Sequence, residues 1–169
     1  AIGGKYLDKP VGSCEYSDIT IFSFHPVKII TTAEGGMLTT NSDKLAAKIS
    51  SLRTHGMTRD PGLMTKESEG PWFYQMLDLG YNYRITDLQC ALGLSQFKRL
   101  DDIVSKRHEI LDKYRNLLGD KADVVIPEQA EYSYSGLHLY PVQVPKEKRL
   151  EVFEYLRNNN IGVNIHYIP

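Results

Sequence analysis

Cysteine is scarce: Cys14 and Cys90 stand far apart, with no Cys-x-x-Cys and no histidine cluster at metal-ligand spacing. No metal site is expected from such a pattern, and two reduced thiols in a cytoplasmic protein are the simplest reading. Charge of one sign is not in excess either. Twenty basic residues face 21 acidic ones, for a net charge of −1, and no Lys/Arg block is interleaved with aromatics. Nucleic acid is therefore not an expected partner. No apolar run approaches the roughly 20 residues that cross a bilayer, and no signal peptide is visible, so no membrane partner is expected. Internal repeats and low-complexity stretches are also lacking. What remains is a 169-residue chain long enough to bury a core, in one or two domains.

The most informative residue is Lys28. The preceding Ile19–Phe24 is β-branched and aromatic and reads as a buried strand. Pro26 ends that run, which leaves Lys28 on the loop just past the strand end. Loops at strand ends are where α/β enzymes build their sites. A lysine held partly out of water there becomes a usable amine nucleophile, the chemistry of a Schiff-base lysine. Spacing alone also allows an ordinary surface lysine beside a turn.

Along the rest of the chain, residues 1–17 read as loop and a short edge strand. A second strand is expected at Met37–Thr40, after a turn at Gly35-Gly36. Ser42 caps a helix carrying Leu45, Ile49 and Leu52, which ends by Gly56, with His55 bonding its last carbonyls. Met57–Trp72 is polar and turn-rich and reads as a mobile loop. Thr86 and Gln89 form a capping box. One bent helix or two consecutive ones then run to Leu118, with Phe97, Leu100, Val104, Leu111, Tyr114 and Leu118 as a core stripe and Arg107 in its one polar slot. Beyond Gly119 the expectation is strand His138–Val144, helix Lys146–Asn159 and strand Val163–His166.

The segments SFHPVK (23–28) with TTAEGG (31–36), LRTHG (52–56), GYNYRITD (80–87) and ALGLSQ (91–96) occur in order. Together they resemble the DegT/DnrJ/EryC1/StrS family of pyridoxal-phosphate sugar aminotransferases. The phrases THGM (54–57), KRHEI (106–110) and GVNIHYIP (162–169) resemble most the branch that aminates UDP-linked sugars on the way to pseudaminic acid. The resemblance implies an α/β chain, part of a fold-type I transferase with a mostly parallel sheet in its large domain. Residues 1–104 would be the C-terminal part of that cofactor domain. Residues 105–169 would be a long-helix linker and the start of the small α+β domain. The aspartate that in relatives holds the cofactor's pyridine nitrogen would lie just before Ile2, so the chain is expected to be an internal piece of a longer protein, inactive alone.

The same resemblance assigns roles. Lys28 would bind pyridoxal 5′-phosphate covalently and then act as general base. Ser23 would donate to the phosphate, although by itself it suits a local backbone bond. Asn82 would reach the phosphate of the neighbouring subunit's cofactor, implying a homodimer with shared sites; its own sequence setting also suits a turn. Arg84 could pair a donor carboxylate or be structural. His166, Tyr167, Ile168 and Pro169 would meet the sugar nucleotide. His25 reads as pocket wall. The expected substrates are a UDP-linked 4-keto-6-deoxy sugar and an amino-acid donor, L-glutamate. A dehydratase of the same family would carry histidine in place of Lys28. A catalytically silent association module would bind no cofactor.

Overall fold

The computed structural model describes residues 1–121, 123–126 and 128–168. Its centre is a hairpin. Strand β3 (Thr20–Ser23) pairs antiparallel with β4 (Gly36–Thr39), from Thr20 opposite Thr39 to Ser23 opposite Gly36. Alternation along β3 buries Phe22 and Phe24 and leaves Ile21 exposed, so the strand covers one face only. The sequence reading of a buried strand holds for Phe22 and Phe24 and fails for Ile21. Gly36 belongs to the strand, and the connection is the longer 24–35 loop that carries Lys28.

Strand β1 (Lys5–Tyr6) lies between β2 (Lys9–Pro10) and β7 (Ser133–Tyr134) in a three-stranded ribbon. The β1–β7 pairing joins residues nearly 130 positions apart, Lys5 with Tyr134 and Tyr6 with Ser133. A third pair, β5 (Met57–Thr58) with β6 (Gln75–Met76), closes the 57–76 stretch, so Met57 and Thr58, expected as part of a loop over 57–72, are a strand. All the described strand pairings are antiparallel. The strands expected at 138–144 and 163–166 are not found as such. The first contributes only a bridge between Gln143 and Val125, and the second has no pairing among the described residues. Extended backbone becomes a strand only when a neighbour takes its N–H and C=O groups.

Helix α1 (Asp43–Leu52) starts where Ser42 Oγ accepts from the Leu45 N–H at 3.4 Å. It stops through backbone bonds: Arg53 N–H donates to the Ile49 carbonyl, and Gly56 N–H to that of Ser51. His55 has a positive φ of 60°, and its N–H goes to the Tyr81 carbonyl, so it is not the helix terminator expected from sequence. The run after Thr86 is two helices, α2 (Asp87–Phe97) and α3 (Leu100–Leu118). Arg99 leaves helical geometry at φ −111° and ψ 11°, which re-aims α3 so that Leu100, Val104 and Leu111 are buried. Phe97 and Tyr114, at the same spacing, stay exposed. A short 3₁₀ turn (Lys146–Lys148) leads into α4 (Arg149–Asn158).

The core gathers Phe22, Phe24, Ile29, Ile30, Leu100 and Val104, with Ile2 and Ile103 packed against it. Two of its members, Ile29 and Ile30, follow Lys28 directly. Burying each side chain contributes about 1.5–3 kcal/mol, so the backbone beside the lysine is anchored. Elsewhere apolar surface is left bare: α2 buries none of its residues, and Leu88 and Leu94 are exposed. The chain presents 13147 Å² to solvent. A self-contained globule of this length would present roughly 8,400 Å².

In the full-length protein, Thr86→Ala should lower stability by about 1 kcal/mol, the usual worth of an N-cap side chain. Urea denaturation should show the midpoint fall while Thr86→Ser stays near wild type; equal midpoints for all three would show that the cap is not used.

Candidate active site

The loop that carries Lys28 is closed at its neck. Phe24 N–H donates to the Gly35 carbonyl at 2.9 Å, and Thr32 N–H to the Phe24 carbonyl at 3.0 Å. Thr31 Oγ1 adds a bond to that same carbonyl at 2.8 Å and accepts from the Ala33 N–H at 2.9 Å. A Cβ at Gly35 would collide with Thr32 Oγ1, so the closure needs glycine there. Inside the loop, Lys28 N–H donates to the His25 carbonyl across Pro26-Val27, a turn that proline favours at its second position.

Helix α2 then pins the loop from the side. Gln96 lays its amide along Thr31, accepting from the N–H at 3.2 Å and donating to the carbonyl at 2.7 Å. Gln89 completes the capping box with Thr86 and also donates to the Glu34 carbonyl at 2.8 Å. Sequence reading gave Gln89 only its capping role and gave Gln96 none. A glutamine in the last turn of α2, one turn before a core leucine and closing the ALGLSQ phrase, was the signal at hand.

The lysine is half-buried, and its Nζ lies 3.3 Å from His138 Nε2. Three contacts deliver that histidine. Arg107 donates to the Leu137 carbonyl at 2.8 Å, which explains the polar slot in the α3 stripe. His108 Nε2 donates to the Ser135 carbonyl at 2.8 Å. Gly136 is packed so tightly that a Cβ would sit 2.5 Å from the Ile2 carbonyl oxygen and 2.9 Å from Ile29 Cδ1. Burial, then the positive charges of Lys28, Arg107 and His166, hold the His138 ring below the usual histidine range. It is therefore neutral at pH 7. Sequence reading placed His138 in a strand and missed it as a neighbour of the lysine.

The other expected residues are distributed unevenly. Ser23 is exposed at the end of β3, and its Oγ accepts from the His25 N–H at 3.4 Å, which leaves the O–H free to donate. His25 is exposed across the loop mouth from Glu34, at 3.8 Å. His166 is close enough to act on the His138 charge, and Tyr167 packs edge-on against it at 4.7 Å. Tyr167 and Ile168 are largely exposed. Pro169 lies outside the described residues. Asn82 and Arg84 precede Ile85, whose Cδ1 would lie 3.2 Å from a Cβ at Gly35 in the loop neck. Asn82 is exposed and bridged through its backbone to Thr54, and among the described residues no hydrogen bond or ion pair joins either to Lys28.

Gln96→Leu in the full-length protein should cost about 1–3 kcal/mol, because both Thr31 backbone groups lose their partner while staying partly buried. Gln96→Glu should cost less, since a carboxylate still accepts from the N–H. Equal denaturation midpoints for Gln96→Leu and wild type would refute the pinning role.

Three comparisons bear on this geometry. The model of the DegT/DnrJ/EryC1/StrS aminotransferase family matches residues 1–169. The UDP-4-amino-4,6-dideoxy-N-acetyl-beta-L-altrosamine transaminase of Campylobacter jejuni is 40% identical over 172 residues, covering 100% of this chain and 43% of its own length. Helicobacter pylori PseC, an aminotransferase involved in pseudoaminic acid biosynthesis, superposes with a TM-score of 0.86 at 31% identity, over 100% of this chain and 43% of its own. Streptococcus pneumoniae Spr1654 in its PLP form gives 0.83 at 29% identity, over 99% of this chain and 42% of its own. The chain thus spans less than half the length of the relatives it matches, with the α/β fold of the matching part of those sugar aminotransferases. A lysine loop closed and pinned as described, in a chain matched from end to end, makes this protein a member of the DegT/DnrJ/EryC1/StrS aminotransferase family.

Proposed function

We propose that the full-length protein uses pyridoxal 5′-phosphate to pass an amino group from L-glutamate to C4 of a UDP-linked 4-keto-6-deoxy sugar, for surface or flagellar glycan synthesis in the cytoplasm. The observation that carries this reading is the Lys28 amine, half-buried on an anchored loop beside a neutral imidazole. The names of the Campylobacter transaminase and of PseC support the substrate class.

The residues present fit that cofactor. Among the described residues Lys28 makes no ion pair, so no carboxylate sequesters its amine. Ser23 has an unused O–H a strand end away, suited to a phosphate oxygen. When bound, the cofactor supplies the electron sink that lets a proton leave an amino-acid Cα. Lys28 holds the cofactor and afterwards moves that proton. Arg84 is assigned to a donor carboxylate, and His166, Tyr167, Ile168 and Pro169 to the sugar nucleotide. Asn82 is assigned to the phosphate of the partner subunit's cofactor in a homodimer; among the described residues it makes no hydrogen bond to Lys28 of its own chain. The bare apolar faces of α2 suit cover by the remaining elements or by that partner. The domain division at 104/105 falls inside α3, whose first turns pack in the core.

Borohydride reduction of the full-length protein loaded with pyridoxal phosphate should leave a pyridoxyl group on Lys28 and on no other lysine. Label on Lys44 or Lys48 would overturn the assignment. Lys28→Ala should bind the cofactor only non-covalently and lose transamination. Assays across UDP- and dTDP-linked keto-sugars test the substrate class.

The shared site has its own test. Lys28→Ala and Asn82→Ala, each impaired alone, should rescue one another when mixed and refolded, because a heterodimer collects both lesions in one site and leaves the other native. Activity should return to at most about half per heterodimer, one site of two. Absence of rescue, with Asn82→Ala impaired alone, would place Asn82 in its own chain's site.

A further inference from the structure

We propose that His138 is a positioning residue for Lys28: it accepts one N–H of the amine and so holds the lysine's free electron pair directed away from the ring. The inference rests on the reading of Lys28 as the cofactor lysine. It extends that reading to a residue 110 positions away.

Both partners of the 3.3 Å contact are fixed independently of it. On one side, Ile29 and Ile30 lie in the core and the His25–Lys28 turn sets the backbone. On the other, Arg107, His108 and the packing of Gly136 hold residues 135–137. The contact is thus imposed by the fold and is not an exposed lysine finding a chance neighbour.

The chemistry gives the contact a direction. An ammonium has donors and no acceptor, so while Lys28 is charged the imidazole Nε2 must accept. The proton of the neutral ring then sits on Nδ1, a buried atom with no partner among the described residues. An unpartnered buried donor is unfavourable, and its retention points to a requirement for this tautomer. When the amine is neutral, the same arrangement spends one of its N–H groups on the ring and leaves the electron pair free to attack. The opposite tautomer would donate into that pair and block it.

The groups acting on the ring, Lys28, Arg107 and His166, are all cationic when charged; Tyr114 and Tyr140 line the adjoining cavity of about 110 Å³. Protonation would turn the ring from an acceptor into a cation facing Lys28. The sign follows: a ring held below its ordinary pKa accepts at neutral pH and above, and fails as pH falls through its lowered midpoint.

The test uses the full-length apoprotein mixed with pyridoxal phosphate, with capture followed by the visible band across a pH series. At neutral pH His138→Ala should capture roughly tenfold more slowly, the worth of one hydrogen bond. His138→Gln, whose amide oxygen can take the place of Nε2, should come within about threefold of wild type. In wild type, log rate should show an extra downward step of about one unit as pH falls through the ring's lowered midpoint, and neither variant should show that step. A His138→Ala protein with the wild-type rate, a Gln variant as slow as Ala, or a low-pH step that persists in the Gln variant would each overturn the proposal. If Ala fails to fold, the Gln variant decides through its rate and its missing step. A covalent band in Lys28→Ala would instead overturn the reading of Lys28.

Discussion

The closed neck of the 24–35 loop is the constraint on which the rest of the site depends. Twelve residues between a strand and its hairpin partner would ordinarily be free to move. Here Phe24 is bonded to both Gly35 and Thr32, and Gln96 holds Thr31 by both of its backbone groups. The two isoleucines after Lys28 are then drawn into the core, and the lysine is left half-buried at the edge where the exposed 25–27 turn meets it. Remove the neck and the burial of Ile29 and Ile30 no longer fixes where the amine points.

Around that loop the fold works by bringing distant segments to one address. The β1–β7 pairing, the Arg107 and His108 bonds and the tight seat of Gly136 all act on residues 133–137. None of them touches Lys28. Their joint result is the approach of His138 to the amine, and with it a neutral ring among positive charges. Packing and electrostatics thus arrive at the same point from opposite ends of the chain.

Much of this was legible in the residues. The capping box at Thr86 and Gln89, the Ser42 cap and the placement of Lys28 past a strand end follow from local chemistry, and local chemistry is what a sequence displays. The Leu100, Val104 and Leu111 stripe was legible for the same reason. What failed was whatever needed a neighbour to be known. Segments 138–144 and 163–166 have strand-like residues but lack a paired row beside them. Phe97 and Tyr114 have core-like spacing but stay exposed, Tyr114 with only Tyr140 stacked on it. His138 and Gln96 act through partners 110 and 65 residues away, which periodicity cannot reveal.

The separation of Lys28 from His138 also sets an order in time. A ribosome adding roughly 5–20 residues per second exposes the lysine loop about 5–20 s before the segment that carries the imidazole. The entropy of closing so long a loop must be met before the contact exists, although it grows only as the logarithm of length. The nascent chain therefore displays its lysine first as an ordinary amine. Its special surroundings arrive only with the segment after α3, so the chain completes the environment of Lys28 only once a further 110 residues have been made.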